Sequence, residues 1–378
     1  KFVFYFLRQE IFRKEASVHF TSTVGQMRVP KAFMMDALFP LPPLAEQHRI
    51  VAKLEALLAQ VNAAKDHLAA VPPIIKRFRQ SVLSAACSGR MTEDWRREHP
   101  DVEPASELLK KIREERIRRY EDEFQKPKAE GRRKPKNIEP HGVETEGLPE
   151  LPEGWAWTRL ENCVDILDGQ RIPVNSKERE KRKGDIPYYG ATGRVGWIDD
   201  YIFDGELLLV GEDGAPFFDK TKHVAYIING KSWVNNHAHV LRAIKEITSN
   251  RFLCNYLNLF DYQGFVKGTT RLKLNQGSMK NIPTPLPPLL EQRAIVHRIE
   301  NLFHRTSEVG ERVTAAIAHA DRLTQSILAK AFRGELVPHD LDDAPASVLL
   351  ERIRKERTEL KKKKKPRKRR PETLPDPD

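Results

Sequence analysis

Apolar residues recur at alternating steps of four and three in two stretches of the chain. Ile50, Leu54, Leu57, Val61, Ala64, Leu68 and Val71 form the first series. Ile295, Ile299, Leu302, Thr306, Val309, Val313, Ala316, Ala320, Leu323 and Ile327 form the second. This is the 3.5-residue period of a coiled-coil seam and predicts a long helix in each stretch. Each helix opens after Pro-Pro, with Glu46 or Glu291 in the first turn, where the positive end of the helix dipole favours an acid. Pro72 and Pro73 predict a kink or break in the first helix, and Ile317 and Ala318 stand at the matching place in the second. Gly89 and Gly334 are suited to be C-caps.

The two helices are copies. PLPPLAEQHRIVAKLEAL at 40–57 matches PLPPLLEQRAIVHRIENL at 285–302, and the same offset aligns QSVLSAACSGRM at 80–91 with QSILAKAFRGEL at 325–336. Further on, PASELLKKIREER at 104–116 matches PASVLLERIRKER at 345–357, and upstream Met34 falls opposite Met279. A duplicated helix is expected to pack against its twin, antiparallel, as a spacer. Ahead of the second copy lies a long segment of different character. From 154 to 284, strand-like runs such as Leu207–Val210 and Val224–Ile228 alternate with turns rich in Gly, Asp and Asn, and Phe252, Leu253, Tyr256, Leu257 and Phe260 share a helical face. This predicts a mixed α+β domain with its own core.

The fold class expected is therefore α+β: a globular mixed domain plus two long, repeat-related helices packed as an antiparallel coiled coil. The expected organisation is residues 1–39, a remnant that ends like the segment before the second helix; 40–91, the first helix region; 92–153, a charged helical stub and linker; 154–284, the mixed domain; 285–336, the second helix; and 337–378, a second stub and basic tail.

Composition narrows the function. The chain has 378 residues and a net charge of +12. Segments 107–136 and 351–378 together carry all of that surplus, and 154–284 carries only +3. The charge thus supports general attraction to a polyanion more than a reading surface. Three widely separated cysteines, Cys87, Cys163 and Cys254, do not suit a disulfide framework or a cysteine zinc site, and fit a reducing compartment. No apolar run approaches the ~18 residues of a membrane span. The N-terminal KFVFYFLRQEIFRK has no small-residue cleavage site.

Candidate chemistry sits in the turns of 154–284. AYIINGKS at 225–232 fits a phosphate-loop pattern only formally. Its first half continues a strand and Asn229-Gly230 is a hairpin signal, so a hairpin tip is expected. His237 and His239 place two imidazoles on one strand face. A zinc site would need further ligands, and His223 and Asp219 stand at no recognised spacing, so polar-core histidines are expected. Asp213, between glycines, is expected to cap a tight turn. Gln170, Arg171, Arg194, Lys220, Lys222, Lys267, Thr269, Thr270 and Arg271 are the candidate DNA contacts. Arg and Gln can grip base edges, and Lys and Thr suit phosphates.

The duplicated PLPPLxEQ helix, LPEGWAWTRLENC at the head of the mixed domain, GEDGAPFF, NNHAHVL, and GTTRLKLNQGSMKNIPTPLPP before the second helix together resemble the specificity subunits of type I restriction–modification systems. The resemblance covers nearly the whole chain. It implies a target-recognition domain at 154–284 that reads one half of a bipartite double-stranded DNA site. It also implies helices that set the spacing and dock methyltransferase subunits, two being expected, with a restriction/motor subunit joining through the complex. No catalytic residue, metal or cofactor is implied, and the setting is the prokaryotic cytoplasm. QMRVPKAFMMDALFPLPP parallels RLKLNQGSMKNIPTPLPP, so residues 1–39 would be the C-terminal remnant of a first recognition domain, the chain being either a fragment of a longer gene product or the product of a degenerate gene. In keeping with this, the sequence carries no Asn/Asp-Pro-Pro-aromatic methyltransferase motif, no serine elbow, and no ATPase loop beyond the formal match at 225–232. The competing expectation is a coiled-coil scaffold whose DNA affinity is sequence-independent and lies in the basic tails.

Overall fold

The computed structural model describes residues 1–23, 26–125 and 142–363. The linker at 126–141 and most of the basic run at 361–370 lie outside the described residues. In chain order the elements begin with α1 (Phe2–Leu7), α2 (Glu10–Val18), β1 (Thr21–Thr23), β2 (Gln26–Arg28), α3 (Lys31–Asp36), α4 (Leu44–Ala69), α5 (Val71–Cys87), α6 (Glu93–Glu98) and α7 (Ala105–Gln125). Next come β3 (Ala156–Arg159), α8 (Leu160–Cys163), β4 (Val164–Ile166), α9 (Ser176–Lys181), β5 (Ile186–Gly190), β6 (Gly193–Ile198), β7 (Leu207–Gly211), β8 (Ala225–Ile228), β9 (Trp233–Val234) and β10 (Ala238–Ala243). The chain closes with α10 (Asn250–Leu259), α11 (Gln276–Lys280), β11 (Pro283–Leu286), α12 (Leu289–Phe332) and α13 (Ala346–Lys363). Among the described residues no helix is long and apolar enough to cross a membrane.

The first repeated helix is split and the second is not. Pro72 and Pro73 have no amide hydrogen to give to the carbonyls four residues earlier, so α4 closes at Ala69 and α5 starts with the prolines in its first turn. The second copy runs unbroken for 44 residues. Both end as the glycines dictate: Gly89 and Gly334 have φ of 73° and 79° and stand two positions after the last residues of α5 and α12.

The chain divides into two compact units, Lys1–Val71 with Gly310–Asp378, and Pro72–Val309. In the first, Ile50, Leu54, Leu58 and Val61 of α4 cluster with Ala320, Ile327, Leu328 and Ala331 of α12. Lys65 pairs with Asp321 at 2.5 Å and Arg49 grips Asp343 with two hydrogen bonds, so the helices run antiparallel. The seam differs from the 3.5-residue reading: Leu58 is buried more deeply than Leu57, Ala64 is exposed, and Val309 and Leu323 are 45% and 43% exposed. An α-helix gains 3.6 residues per turn, so a 3.5-residue stripe drifts by ~20° per heptad, and the break at Ala70 resets the opposing face. Residues 1–39 pack beside this seam through Phe2, Phe6, Phe39 and Phe332.

In the second unit, α5 lies antiparallel to the first half of α12. Arg79 donates to the Thr306 and Ser307 hydroxyls and the Phe303 carbonyl, and Arg298 grips Asp94. The mixed domain is built around a four-stranded sheet ordered β4-β10-β7-β8, every pairing antiparallel. The run Leu-Leu-Leu-Val-Gly in β7 is buried throughout because both faces are covered. Leu208 and Val210 join the core that includes Phe252, Leu253 and Leu257 of α10, while Leu207 and Leu209 join Phe203, Val234 and Val240 on the other face. A second sheet, β6-β5-β9, pairs β5 and β6 antiparallel but β5 and β9 parallel. The expected hairpin at Asn229-Gly230 is therefore corrected. Gly230 does turn the chain, with φ 74°, but β8 and β9 belong to different sheets. Trp233 is drawn away from β8 into a separate apolar cluster with Val174, Tyr188 and Ile198.

Candidate nucleic-acid interface

The Glu-Gln pair of the repeated motif does more than face a helix dipole. Glu291 is wholly buried and accepts three hydrogen bonds, from Thr92 Oγ1 (2.6 Å), Arg96 Nη1 (2.5 Å) and Trp155 Nε1 (2.8 Å). Gln292 beside it accepts from the Thr248 hydroxyl and donates to the Ile247 and Pro287 carbonyls. The start of α12 thereby clasps both the LPEGW opening of the mixed domain and the segment before α10. Pairing of β11 with β3 brings the two ends of the domain together at the same place. The domain is held at its root, and its free loops lie where the strands end.

Three of these loops are tied to one another. Glu212 and Asp213 follow β7, and their backbone amides both bond the His237 carbonyl, just before β10. The loop 267–273 closes on itself through mutual backbone bonds of Lys267 and Lys273. It docks through Gly214 N–H to the Leu272 carbonyl and Leu274 N–H to the Glu212 carbonyl. Arg271 Nε lies 2.5 Å from Asp213 Oδ1, its guanidinium reaches His237 Nδ1 at 3.4 Å, and 60% of its side chain stays exposed. Lys273 Nζ sits 3.3 Å from Glu212. Gly268, at φ 104°, is required here twice over: a Cβ would meet the Arg271 carbonyl oxygen at 2.4 Å.

Of the candidate contacts, Lys267, Thr269, Thr270 and Arg271 thus share one exposed loop. Gln170 is exposed at the end of a short helical turn. Arg171 is different: its side chain is 14% exposed and is engaged by Glu212 (2.7 Å), Asp168 (3.5 Å) and the Ala238 carbonyl. Arg194 is exposed on β6 and lies over the Trp197 ring at 4.4 Å. Lys220 and Lys222 sit on the loop that leads to β8. The Lys220 carbonyl accepts from Gln80 of α5, and Lys222 lies 3.4 Å from Asp219. Asp213 is corrected from a turn cap to the carboxylate that holds Arg271.

Sequence reading missed Asp168, Glu212, Lys273 and Gln276, and the exposed aromatics Trp197 and Tyr201, the latter with Lys231 Nζ 4.5 Å from its ring centroid. The Arg194–Trp197 spacing on β6 could have signalled Trp197; the others depend on contacts distant in sequence. Asp168 is buried. Burial alone would raise its pKa, but hydrogen bonds from His239, the Val240 amide and Gln276 outweigh it, and the carboxyl is held below its ordinary value. Its contribution to stability is present above the unfolded carboxyl value, about 3.9, and is lost as pH falls through the lower folded value. Asp168→Asn should therefore be less stable than the wild type at neutral pH yet lose less on acidification, measurable by urea titration at a series of pH values.

The comparisons agree with this architecture. Residues 152–319 match the family model described as a type I restriction modification DNA specificity domain. The EcoDI specificity subunit of Escherichia coli is 30% identical over 97% of this chain and 79% of its own length. The EcoBI specificity subunit of Escherichia coli is 32% identical over 92% and 70%, and the EcoKI specificity subunit of strain K12 is 29% identical over 97% and 74%. A solved chain from a study of the assembly and conformational transition of a type I restriction–modification system superposes with a TM-score of 0.60 at 20% identity, covering 88% of this chain and 71% of that one, which speaks to the fold alone. A Trp-clasping PLPPLxEQ helix, a mixed domain rooted on it, and relatives matched along most of their length place this chain in the family of type I restriction–modification DNA specificity subunits.

Proposed function

We propose that the loop 267–273, with Arg271 at its centre, is the part of this specificity subunit that reads one half of a bipartite DNA site. The observation that carries this is the Arg271–Asp213 pair. An exposed guanidinium held from one side by a fixed carboxylate loses little entropy on binding and keeps donors free for a guanine edge. Lys267, Thr269, Thr270 and Lys273 flank it for phosphates, and Gln170 and Arg194 extend the surface. Arg171 acts from behind, holding Glu212. The chain itself is non-catalytic in this reading. Methylation and cleavage belong to two docked methyltransferase subunits and a restriction subunit, and the two repeated helices serve as docking surface and spacer.

The test is competition binding by the assembled methyltransferase complex at one fixed salt concentration, since phosphate contacts alone make affinity salt-dependent. Arg271→Ala should cost about 1–3 kcal/mol on the preferred sequence and relax discrimination at one or two base pairs. Lys267→Ala should weaken all sequences alike. A wild-type complex that ignored sequence would instead favour the scaffold whose DNA affinity resides in the basic tails.

A further inference from the structure

Beneath the 267–276 loop lies a buried cluster that the reading surface does not itself use. His239 of β10 is 1% exposed. Its Nδ1 lies 2.6 Å from Asp168 Oδ2 and its Nε2 lies 2.8 Å from the Leu274 carbonyl oxygen. A carbonyl oxygen only accepts. Asp168 accepts from the Val240 amide at Oδ1 and the Gln276 amide at Oδ2, and these bonds help hold its carboxyl below the ordinary value, so that it faces the ring as an acceptor. An acceptor therefore faces each ring nitrogen of His239. Arg171 lies between Asp168 and Glu212, so a guanidinium and an imidazole share the two carboxylates.

Asp168, Glu212 and His239 each offer a ligand atom within 4.8 Å of the others, which resembles a metal site. The arrangement argues otherwise. Both nitrogens of His239 are engaged by Asp168 and the Leu274 carbonyl, and the Arg171 guanidinium stands against both carboxylates where a metal ion would compete for them.

The cluster links three elements separated by some seventy and thirty-five residues of chain. One end is the turn at Asp168, the middle is β10, and the far end is the backbone of Leu274, next to Lys273. Gln276 and the Leu274 amide add bonds from the same loop to Asp168 and to the Glu212 carbonyl. The loop is thus anchored from below by side chains that never reach its outer surface.

We propose that His239, bridging Asp168 and the Leu274 carbonyl through its two ring nitrogens, is a positioning residue for DNA reading: it fixes the 267–276 loop so that Arg271 meets the base edge preorganised. This rests on the assignment of that loop to the DNA face. A histidine at this place serves where a neutral amide does not, because two acceptors face it. In His239→Gln, one end of the amide can donate to Leu274, but its oxygen then confronts the Asp168 carboxylate. A double variant, Asp168→Asn with His239→Gln, relieves the conflict. The new asparagine can keep its bond from Val240 and donate to the glutamine oxygen, while the glutamine amide donates to Leu274 and the Gln276 amide turns over to present its oxygen to the asparagine.

The experiment measures binding of the assembled methyltransferase complex to a duplex carrying the sequence that the wild-type complex methylates, and to a scrambled duplex, at fixed salt. His239→Gln is expected to weaken the first by about tenfold and leave the second unchanged. In an Arg271→Ala background the same change should cost less than about threefold, since the group being positioned is gone. The Asp168→Asn, His239→Gln pair should recover to within about threefold of the wild type. Nitrogen-15 spectra of the histidine rings, with His239→Gln used for assignment, should show hydrogens on both nitrogens of His239. Wild-type discrimination by His239→Gln, equal loss on both duplexes, full additivity with Arg271→Ala, or a double variant no better than the single one would each overturn the proposal. A wild-type complex with no preference between duplexes would overturn the reading of the loop, and this proposal with it.

Discussion

Replacing Glu291 with alanine is expected to destabilise the Pro72–Val309 unit by about 3–5 kcal/mol, the usual result of removing one side of a buried ion pair. The side chain has no exposure, and three donors converge on it from α12's neighbours: Thr92, Arg96 and Trp155. Alanine would leave the indole N–H and the Arg96 guanidinium facing an apolar hole. The buried indole would have nothing in exchange for its lost water, and Arg96 would keep only the Thr92 hydroxyl and its partial exposure. Glu291→Gln should cost less, since an amide oxygen still accepts from one or two of the three. The repeat supplies an internal control. Glu46 occupies the same place in the first copy and is 2% exposed, but its Oε2 has no hydrogen-bond partner and its close neighbour is His339, whose side chain is 77% exposed. Glu46→Ala should therefore cost no more than about 1 kcal/mol, or even stabilise the Lys1–Val71 unit. Thermal and urea unfolding of the two variants would measure the contrast. Equal effects would mean that the Trp155 clasp contributes little.

That contrast also marks how far the sequence could be read. The duplicated motif made Glu46 and Glu291 equivalent, and as helix-starting acids they are. Nothing in either copy's local sequence distinguishes a carboxylate with three donors from one with an exposed histidine. The difference comes from Trp155 and Arg96, which lie 136 and 195 residues away from Glu291 in the chain. Local features were legible: the broken first helix, because proline acts through its own missing donor; α10, from the apolar face of Phe252, Leu253, Tyr256, Leu257 and Phe260; and the strand β7, from its unbroken apolar run. Pairing was less so. Trp233 and Val234 have strand character, but only the burial of the indole decides that they join β5 in parallel rather than fold back on β8.

The candidate site shows the same division. Lys267, Thr269, Thr270 and Arg271 were legible as an exposed loop from glycines and charge. Arg171, equally polar in sequence, is turned inward by Glu212 and Asp168. Asp213 looks like any glycine-flanked turn residue until folding brings Arg271 beside it. Charged residues report their solubility in sequence, but their function depends on the partner that folding supplies. That is why a domain with a net charge of only +3 can still present a defined cationic loop: its acids are spent holding its bases in place.

The second large effect expected is at Gly89. Gly89→Ala should destabilise the Pro72–Val309 unit by at least about 2 kcal/mol, and Gly334→Ala should destabilise its own unit by about 1 kcal/mol. Both glycines end a repeated helix with φ near +75°, where an alanine meets the following carbonyl, so that penalty is shared. They differ in what surrounds the missing side chain. A Cβ at Gly89 would stand 2.4 Å from Cγ of Pro152 and 3.2 Å from the Trp155 ring, whereas nothing lies within 4 Å at Gly334. Pro152 is a rigid ring beside the clasped tryptophan, so relief requires moving the LPEGW segment off α12 and loosening the bond from Trp155 to Glu291. Gly89→Ala should accordingly shift Trp155 fluorescence toward that of a wetter indole, and its effect should be less than additive with Glu291→Ala, since both release the same segment. Purely additive losses, or equal losses at the two glycines, would show that the close approach of Pro152 is not what Gly89 protects.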